Sequence, residues 1–524
     1  MSKTMNPEAW IDIPFLTLSD LIRDHAKERA SHAAVIQDAR QLDYAALDKY
    51  IDRIAATLQR DGLKAQDAIA ICAYTSIEYL AVFLAALRCG IAIAPLAPSS
   101  TPETIAAMIA DSDAKIFFLD KGVSEEIEKV RGSISAKRIS LDDSDAGEPF
   151  SKWLGAEDAK PAPVEVDPNW AYNIIYSSGT TGTPKGIVQS HAMRWGQVQR
   201  ASVIGYTPDA VTMVSTPLYS NTTLVSVFPT LAMGGTLVMM GKFDVEKFLQ
   251  LSEKYRASHA MLVPVQYRRI MAHPKFDDFD LSAYAKGMKF STSAPFAADV
   301  KGDVVTRWPG GLREYYGLTE GGGTCMLAAD IYPNKLHTVG QPLPGHDMRL
   351  IDENGEEVAP GEIGEVVGHS AIMMNGYHNN PEKSREAEWF DKTGKRFIRT
   401  GDVGRFDEDG FLTLMDRKKD MIISGGFNIY PSDLEAIMTQ HPAVLEAAVV
   451  GVPSLKWGET PVAFVVLKPG ANANAAELQQ WTNERVGKTQ RLALVKIEDS
   501  LPRSAIGKVL KRELRDTVRL AESA

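Results

Sequence analysis

Apolar residues recur over the first part of the chain at two spacings, every third or fourth position and then in short continuous runs, and that alternation predicts a layered α/β domain. Leu47, Ile51, Ile54 and Leu58 share one face of a helix that Asp43 is placed to cap and Gly62 to stop. A strand-like run at 68–72 follows, then a helix over 77–88, a strand over 91–96, a helix opened by Thr101 and Pro102, and a strand over 116–119. Short connections between such elements are the rhythm of βαβ units.

Beyond an acidic, proline-containing linker at 157–167, the apolar run 174–176 leads straight into a polar, glycine-rich loop. The pattern resumes with strands at 211–215, 236–240 and 260–263 and helices at 224–233 and 245–255. From about Gly361 the texture changes to short strands and turns punctuated by Glu362, Gly364, Asp407 and Gly410. The charged run Asp416-Arg417-Lys418-Lys419-Asp420 breaks the chain, and the remainder reads as a small α+β unit. The expected division is therefore 1–416 and 417–524. No internal repeat stands out, which argues against a solenoid.

Composition narrows the possibilities. A chain of 524 residues, 44% hydrophobic and 24% charged, has material for more than one core. Its formal net charge of -10 leaves no basic surplus for nucleic-acid phosphates, so an anionic ligand must be met by a local site. Cys72, Cys89 and Cys325 have no CxxC spacing, so neither a disulfide framework nor a zinc site is suggested and a reducing compartment fits. The first residues lack a basic region followed by an apolar run, and the most apolar stretch, 77–96, is interrupted by Glu78, Arg88 and Gly90. A soluble, cytoplasmic protein with no membrane span and no nucleic-acid partner is expected.

The candidate chemistry begins at Ser177-Ser178-Gly179-Thr180-Thr181-Gly182-Thr183-Pro184-Lys185-Gly186. Gly179, Gly182 and Gly186 let the backbone approach an anion, Thr180, Thr181 and Thr183 add hydroxyl donors, and Lys185 adds a charge. Such a loop suits a triphosphate, while a surface turn rich in glycine and threonine is the plain alternative. It is not a Walker A loop, because Gly186 rather than Ser or Thr follows Lys185 and Gly182 lies three positions ahead of that lysine.

The string 176–186 resembles the nucleotide loop of the adenylate-forming superfamily, which comprises acyl-CoA and aryl-CoA synthetases, luciferases and peptide-synthetase adenylation domains. Further motifs follow in that family's order. Tyr315-Tyr316-Gly317-Leu318-Thr319-Glu320 resembles its second nucleotide motif, Arg399-Thr400-Gly401-Asp402 its ribose motif, 416–420 its hinge, and Pro502-Arg503-Ser504-Ala505-Ile506-Gly507-Lys508 its C-terminal lysine motif.

The resemblance implies a large N-terminal α/β domain of three subdomains, two layered α/β sheets plus a distorted β-barrel, and a small mobile α+β C-terminal domain. It implies ATP, Mg2+ and coenzyme A as cofactors, a small-molecule carboxylic acid as substrate, and Lys508, Thr180 and Glu320 as catalytic residues. Ser177 to Thr183, Lys185 and Tyr315 to Leu318 would contact the nucleotide, and Ala294 and Pro295 would lie beside the adenine. Thr319 and Glu320 would hold the α-phosphate region and a magnesium ion, with Glu320 as the metal-site residue. Asp402 and Arg417 would take the ribose. Lys508 would bridge the substrate carboxylate and the phosphates, Lys419 would be the hinge, and Gly425 and Gly426 would flank the pantetheine channel.

Two departures bear on the acid. Many relatives carry a histidine after Pro-Leu-aromatic, but this chain reads Pro217-Leu218-Tyr219-Ser220-Asn221-Thr222-Thr223. Tyr219, Asn221 and Thr222 fit either a pocket with polar ends or core and capping roles. Thr292 stands where relatives commonly have glycine, which argues against very long fatty acids. Arg268 and Arg269 fit either a dicarboxylate site or a solvent-facing helix.

The expected function is that of an AMP-forming acid–CoA ligase acting on a medium-chain fatty acid or an aryl acid such as a benzoate or hydroxycinnamate. A stand-alone adenylation enzyme loading a carrier protein and a catalytically silent nucleotide-binding regulator are the alternatives. A homodimer is compatible with the family.

Overall fold

The computed structural model describes residues 7–177, 185–417, 420–424, 427–454, 457–487, 490–503 and 509–522. The helix Tyr44–Arg60 forms where the apolar stripe requires it: the Asp43 side chain accepts from the Ala46 amide, Leu47, Ile51, Ile54 and Leu58 are buried, and the chain leaves through Gly62 at φ +87. The helix Ile77–Arg88 is buried on every side. It accommodates Arg88 because the guanidinium meets Asp48 at 2.5 Å, Asp52 at 2.6 Å and the Ser19 hydroxyl at 2.8 Å.

Contacts divide the chain into two compact units, Met1–Asp347 with Gly368–Ile398, and Met348–Val367 with Arg399–Ala524. The larger unit carries two sheets. One has eight strands in the order Gly376–Tyr377, Lys185–Ser190, Ala171–Ser177, Ala92–Pro95, Ala68–Cys72, Ala114–Leu119, Lys137–Ser140 and Glu148–Pro149. The other has nine, in the order Gln341–Pro342, Thr324–Ala328, Gly311–Gly317, Met288–Ser291, His259–Leu262, Val211–Val214, Thr236–Met239, Ala33–Gln37 and Arg40–Asp43.

In the second sheet the connectivity changes direction beside Val211–Val214. The next strand, Thr236–Met239, lies on one side of it and the strand after that, His259–Leu262, on the other, all parallel. Loops leaving the carboxyl ends of such strands diverge and open a crevice, the usual ligand position in parallel α/β sheets. The helix after Val211–Val214 begins at Asn221, earlier than the apolar pattern implies, and runs to Met233 before Gly234 at φ +84.

The smaller unit holds the strand Leu412–Arg417, antiparallel to positions 402–406 of Arg396–Phe406, and a C-terminal sheet whose long strands Val444–Ser454 and Gly458–Leu467 pair antiparallel. One face of the latter buries Val449, Leu434, Met438 and Leu478, and the other buries Val450, Phe464, Leu514 and Val518. A mixed α/β protein with a large N-terminal part and a smaller α+β C-terminal part results. Among the described residues no helix is long and apolar enough to cross a membrane, and Cys72, Cys89 and Cys325 are free and buried.

Candidate active site

The glycine-rich loop joins two antiparallel neighbours. Ala171–Ser177 pairs with Lys185–Ser190, and the register sets Ser177 opposite Lys185. Ser178, Gly179, Thr180, Thr181, Gly182 and Thr183 lie outside the described residues. Gly186 has no room for a side chain: a Cβ there would stand 2.8 Å from Ile174 Cγ2 and 3.1 Å from the Tyr176 ring. The outer strand Gly376–Tyr377 pairs with the same element, Tyr377 opposite Ile187, and this carries the Tyr377 ring to 5.2 Å from Lys185 Nζ.

Tyr377 also reaches the second motif, where its hydroxyl donates to Glu320 Oε1 at 2.8 Å. Burial first, and the Glu320 charge second, hold this phenol well above its ordinary range. Lys185, Tyr377 and Glu320 therefore form one cluster. Tyr315, Tyr316 and Gly317 end the strand Gly311–Gly317, and Leu318 packs against a small core of Ile187, Met374 and Ile398. The backbone beyond is pinned: the Met374 amide donates to the Glu320 carbonyl at 2.8 Å and the Gly322 amide to the Ile372 carbonyl at 3.1 Å. Gln189 Nε2 donates to the Thr319 carbonyl at 2.6 Å.

On the same strand Glu314 is buried against Lys301, whose ammonium also donates to the Thr338 carbonyl at 3.1 Å and sits 5.7 Å from the Phe296 ring centroid. Desolvation pushes Glu314 up to about 7 even though Lys301 opposes it. Lys301 lies on the helix Ala298–Arg307, so this pair ties the segment holding Ala294 and Pro295 to the second-motif strand.

At the crevice, Thr222 is buried and shares a hydrogen bond with Ser293, which adopts a left-handed backbone at φ +82. Thr222 and half-buried Thr292 are thus brought to one place. Asn221 opens the helix Asn221–Met233, with Oδ1 buried and no hydrogen-bond partner among the described residues. The Tyr315 hydroxyl is in the same condition, and burial pushes it up to about 12. Its ring stacks on Phe290 at 6.0 Å, which stacks in turn on Tyr206 at 5.5 Å. Tyr219 is not brought to this group: it interacts with Ser99, Cys72 and Tyr74, and desolvation pushes it up to about 12.

In the smaller unit, buried Asp402 stands directly opposite Arg417 across an antiparallel pair, and its amide donates to the Thr400 hydroxyl at 3.0 Å. Lys419, Gly425, Gly426 and Lys508 lie outside the described residues. Pattern reading missed Tyr377, Gln189 and Asn173, because only long-range register brings them to the motifs. The signal for Gln189 was its place on the strand leaving the loop.

Residues 22–378 match the family model described as AMP-binding enzyme, and 433–508 match the AMP-binding enzyme C-terminal domain. The chain is 31% identical to an indoleacetate–CoA ligase of Aromatoleum aromaticum, with 96% of this chain and 98% of that protein covered. It is 32% identical to a feruloyl-CoA synthase of Amycolatopsis, with 92% and 95% covered. Among solved structures, ATP-bound MatB of Rhodopseudomonas palustris superposes with a TM-score of 0.83 at 30% identity, covering 96% of this chain and 99% of that one.

Proposed function

The chain belongs to the AMP-binding enzyme family, as an acid–thiol ligase of the adenylate-forming superfamily, and from that premise we propose that it joins an aryl acid to coenzyme A through an acyl adenylate. The observation that carries the choice of acid is the combination at the crevice of stacked aromatic rings with hydroxyl and amide groups at Tyr315, Asn221 and Thr222, which suits a flat ring bearing a polar substituent better than an aliphatic chain. The relatives named for indoleacetate and ferulate point the same way.

In this reading the acid carboxylate attacks the α-phosphorus of ATP, the bond to the leaving pyrophosphate breaks, and the coenzyme A thiolate then displaces AMP. The loop amides and hydroxyls from Ser177 to Thr183, with Lys185, hold the phosphates. Asp402 and Arg417 hold the ribose, Ala294 and Pro295 flank the adenine, and Thr292 bounds the acyl pocket. Lys508 stabilises the charge moving onto pyrophosphate. Rotation at Lys419 opens the thiol path past Gly425 and Gly426.

The donors near Glu320 fit a magnesium ion shared with phosphates. Its Oε1 is fixed by Tyr377, and the described residues include no group of three or more acidic, His or Cys side chains that would hold a metal by themselves. When bound, the ion neutralises triphosphate charge.

The test is AMP release from ATP with magnesium across fatty, benzoic, cinnamic, indolic and dicarboxylic acids, each with and without coenzyme A. Release that needs both an aryl acid and coenzyme A is expected; a preference for aliphatic acids overturns the acid class, and no turnover with any acid overturns the ligase reading. Separately, Tyr377→Phe is expected to keep the fold and raise the KM for Mg-ATP by about tenfold, because one charge-assisted hydrogen bond is lost. Initial rates at varied ATP check this, and an unchanged KM would mean that Glu320 is oriented without the phenol.

A further inference from the structure

We propose that a buried relay, Arg194 to Asn173 to Gln189, fixes the Thr319 carbonyl and so pre-orients the Thr319–Glu320 segment for Mg-ATP, making Asn173 and Gln189 positioning residues. The proposal rests on the nucleotide-binding reading of that segment.

The relay is continuous and buried. Arg194 Nε donates to Asn173 Oδ1 at 3.0 Å, Asn173 Nδ2 to Gln189 Oε1 at 3.0 Å, and Gln189 Nε2 to the Thr319 carbonyl at 2.6 Å. Asn173 and Gln189 are wholly buried and Arg194 is 1% exposed.

Its polarity follows from the first member. A guanidinium has donors and no acceptor, so Asn173 must turn its oxygen to Arg194 and its amide nitrogen to Gln189. Gln189 must then turn its oxygen to Asn173 and its nitrogen to Thr319. Two side chains that each have two amide orientations are reduced to one, and that one presents a donor to the motif. Each bond also polarises the next in this low-dielectric setting.

Arg194 is held in an unusual way. Among the described residues no carboxylate pairs with it; its other hydrogen bond goes to the Gln197 amide oxygen at 2.9 Å, and the rings of Tyr172 and Phe228 lie 5.8 and 5.6 Å away. An unpaired buried cation opposes folding unless something else requires it. Fixing the direction of the relay supplies that requirement. The segment it serves is otherwise tethered by backbone, through the Met374 amide to the Glu320 carbonyl and the Gly322 amide to the Ile372 carbonyl, and it runs so close to Ile372 that a Cβ at Gly321 would come within 2.2 Å of that carbonyl oxygen.

Asn173→Asp separates positioning from stability. The aspartate gives Arg194 a countercharge, so the thermal midpoint should hold or rise, but it has no donor for Gln189. The Gln189 amide then turns its nitrogen to Asp and its oxygen to the Thr319 carbonyl. Mg-ATP binding by calorimetry should weaken about tenfold in Asn173→Asp and in the volume-matched Gln189→Leu. Acid-dependent pyrophosphate exchange should fall with it, while coenzyme A thiolysis of a supplied acyl adenylate stays unchanged.

Unchanged Mg-ATP binding in Asn173→Asp overturns the relay, as does a loss of binding accompanied by an equal loss of thermal stability in both variants. Wild-type protein that binds Mg-ATP without any acid-dependent exchange would overturn the ligase reading instead, and the binding comparison would still decide the relay.

Discussion

Lys508→Ala is expected to slow acyl adenylate formation by about 10²- to 10³-fold, the usual consequence of removing one preorganised group aimed at developing charge. The reaction moves negative charge from the α-phosphorus region onto departing pyrophosphate, and a lysine acting there does so by its field rather than by proton transfer. The described flanks show why folding should be spared. Arg503 bridges to Val509, the Leu510 amide donates to the Pro502 carbonyl at 2.8 Å, and Arg503 is ion-paired with Glu446. Leu501, Leu514 and Val518 are anchored in the core on that face of the C-terminal sheet. None of these contacts uses residue 508. Single-turnover pyrophosphate release should collapse, whereas thioester formation from supplied acyl adenylate should remain near wild type. Equal loss in both half-reactions would remove Lys508 from the adenylation step.

The second large effect is on stability. Lys301→Met is expected to destabilise the larger unit by about 3–5 kcal/mol, because it strands a buried carboxylate. Lys301 is 1% exposed and Glu314 is 4% exposed, so water cannot replace the lost partner. The pH dependence has a definite sign. Desolvation leaves folded Glu314 near 7, above its unfolded value, so the folded state takes up the proton more readily. Wild-type stability relative to Glu314→Gln should therefore be greatest below the ordinary carboxylate range, decline as pH rises towards 7, and be flat above it. In Lys301→Met the opposing cation is gone, so the decline should extend to higher pH. Urea unfolding at a series of pH values measures both. A Lys301→Met deficit that is independent of pH would show that lost packing, not the carboxylate, is responsible.

Local signals made much of this fold readable in advance. The Asp43 cap, the Leu47–Leu58 stripe and the Gly62 stop all lie within one helix and its ends, and the run Ala68–Cys72 is a strand over its whole length. The loop stands out in the sequence because its glycines, threonines and lysine are contiguous. What escaped depends on partners far along the chain. Ala33–Gln37 is a strand because Val35 lines up with Leu237, and nothing near residue 35 announces that register. The first turn of Asn221–Met233 looks polar, yet Thr223 is buried because its hydroxyl is satisfied by Thr216 at 2.8 Å and the Pro217 carbonyl at 2.6 Å. Tyr377 reaches Glu320 only through its pairing with Ile187.

The two compact units also bear on how such chains can recombine. The polypeptide passes from one unit to the other after Asp347, after Val367 and after Ile398, so no single crossover exchanges a whole unit. A junction at residue 416 would give a hybrid in which Arg417 comes from one parent and Asp402, its register partner, from the other. Their matching would then become a condition on viable offspring. A donor segment that brought 348–367 along with 399–524 would inherit both sides of that pairing intact.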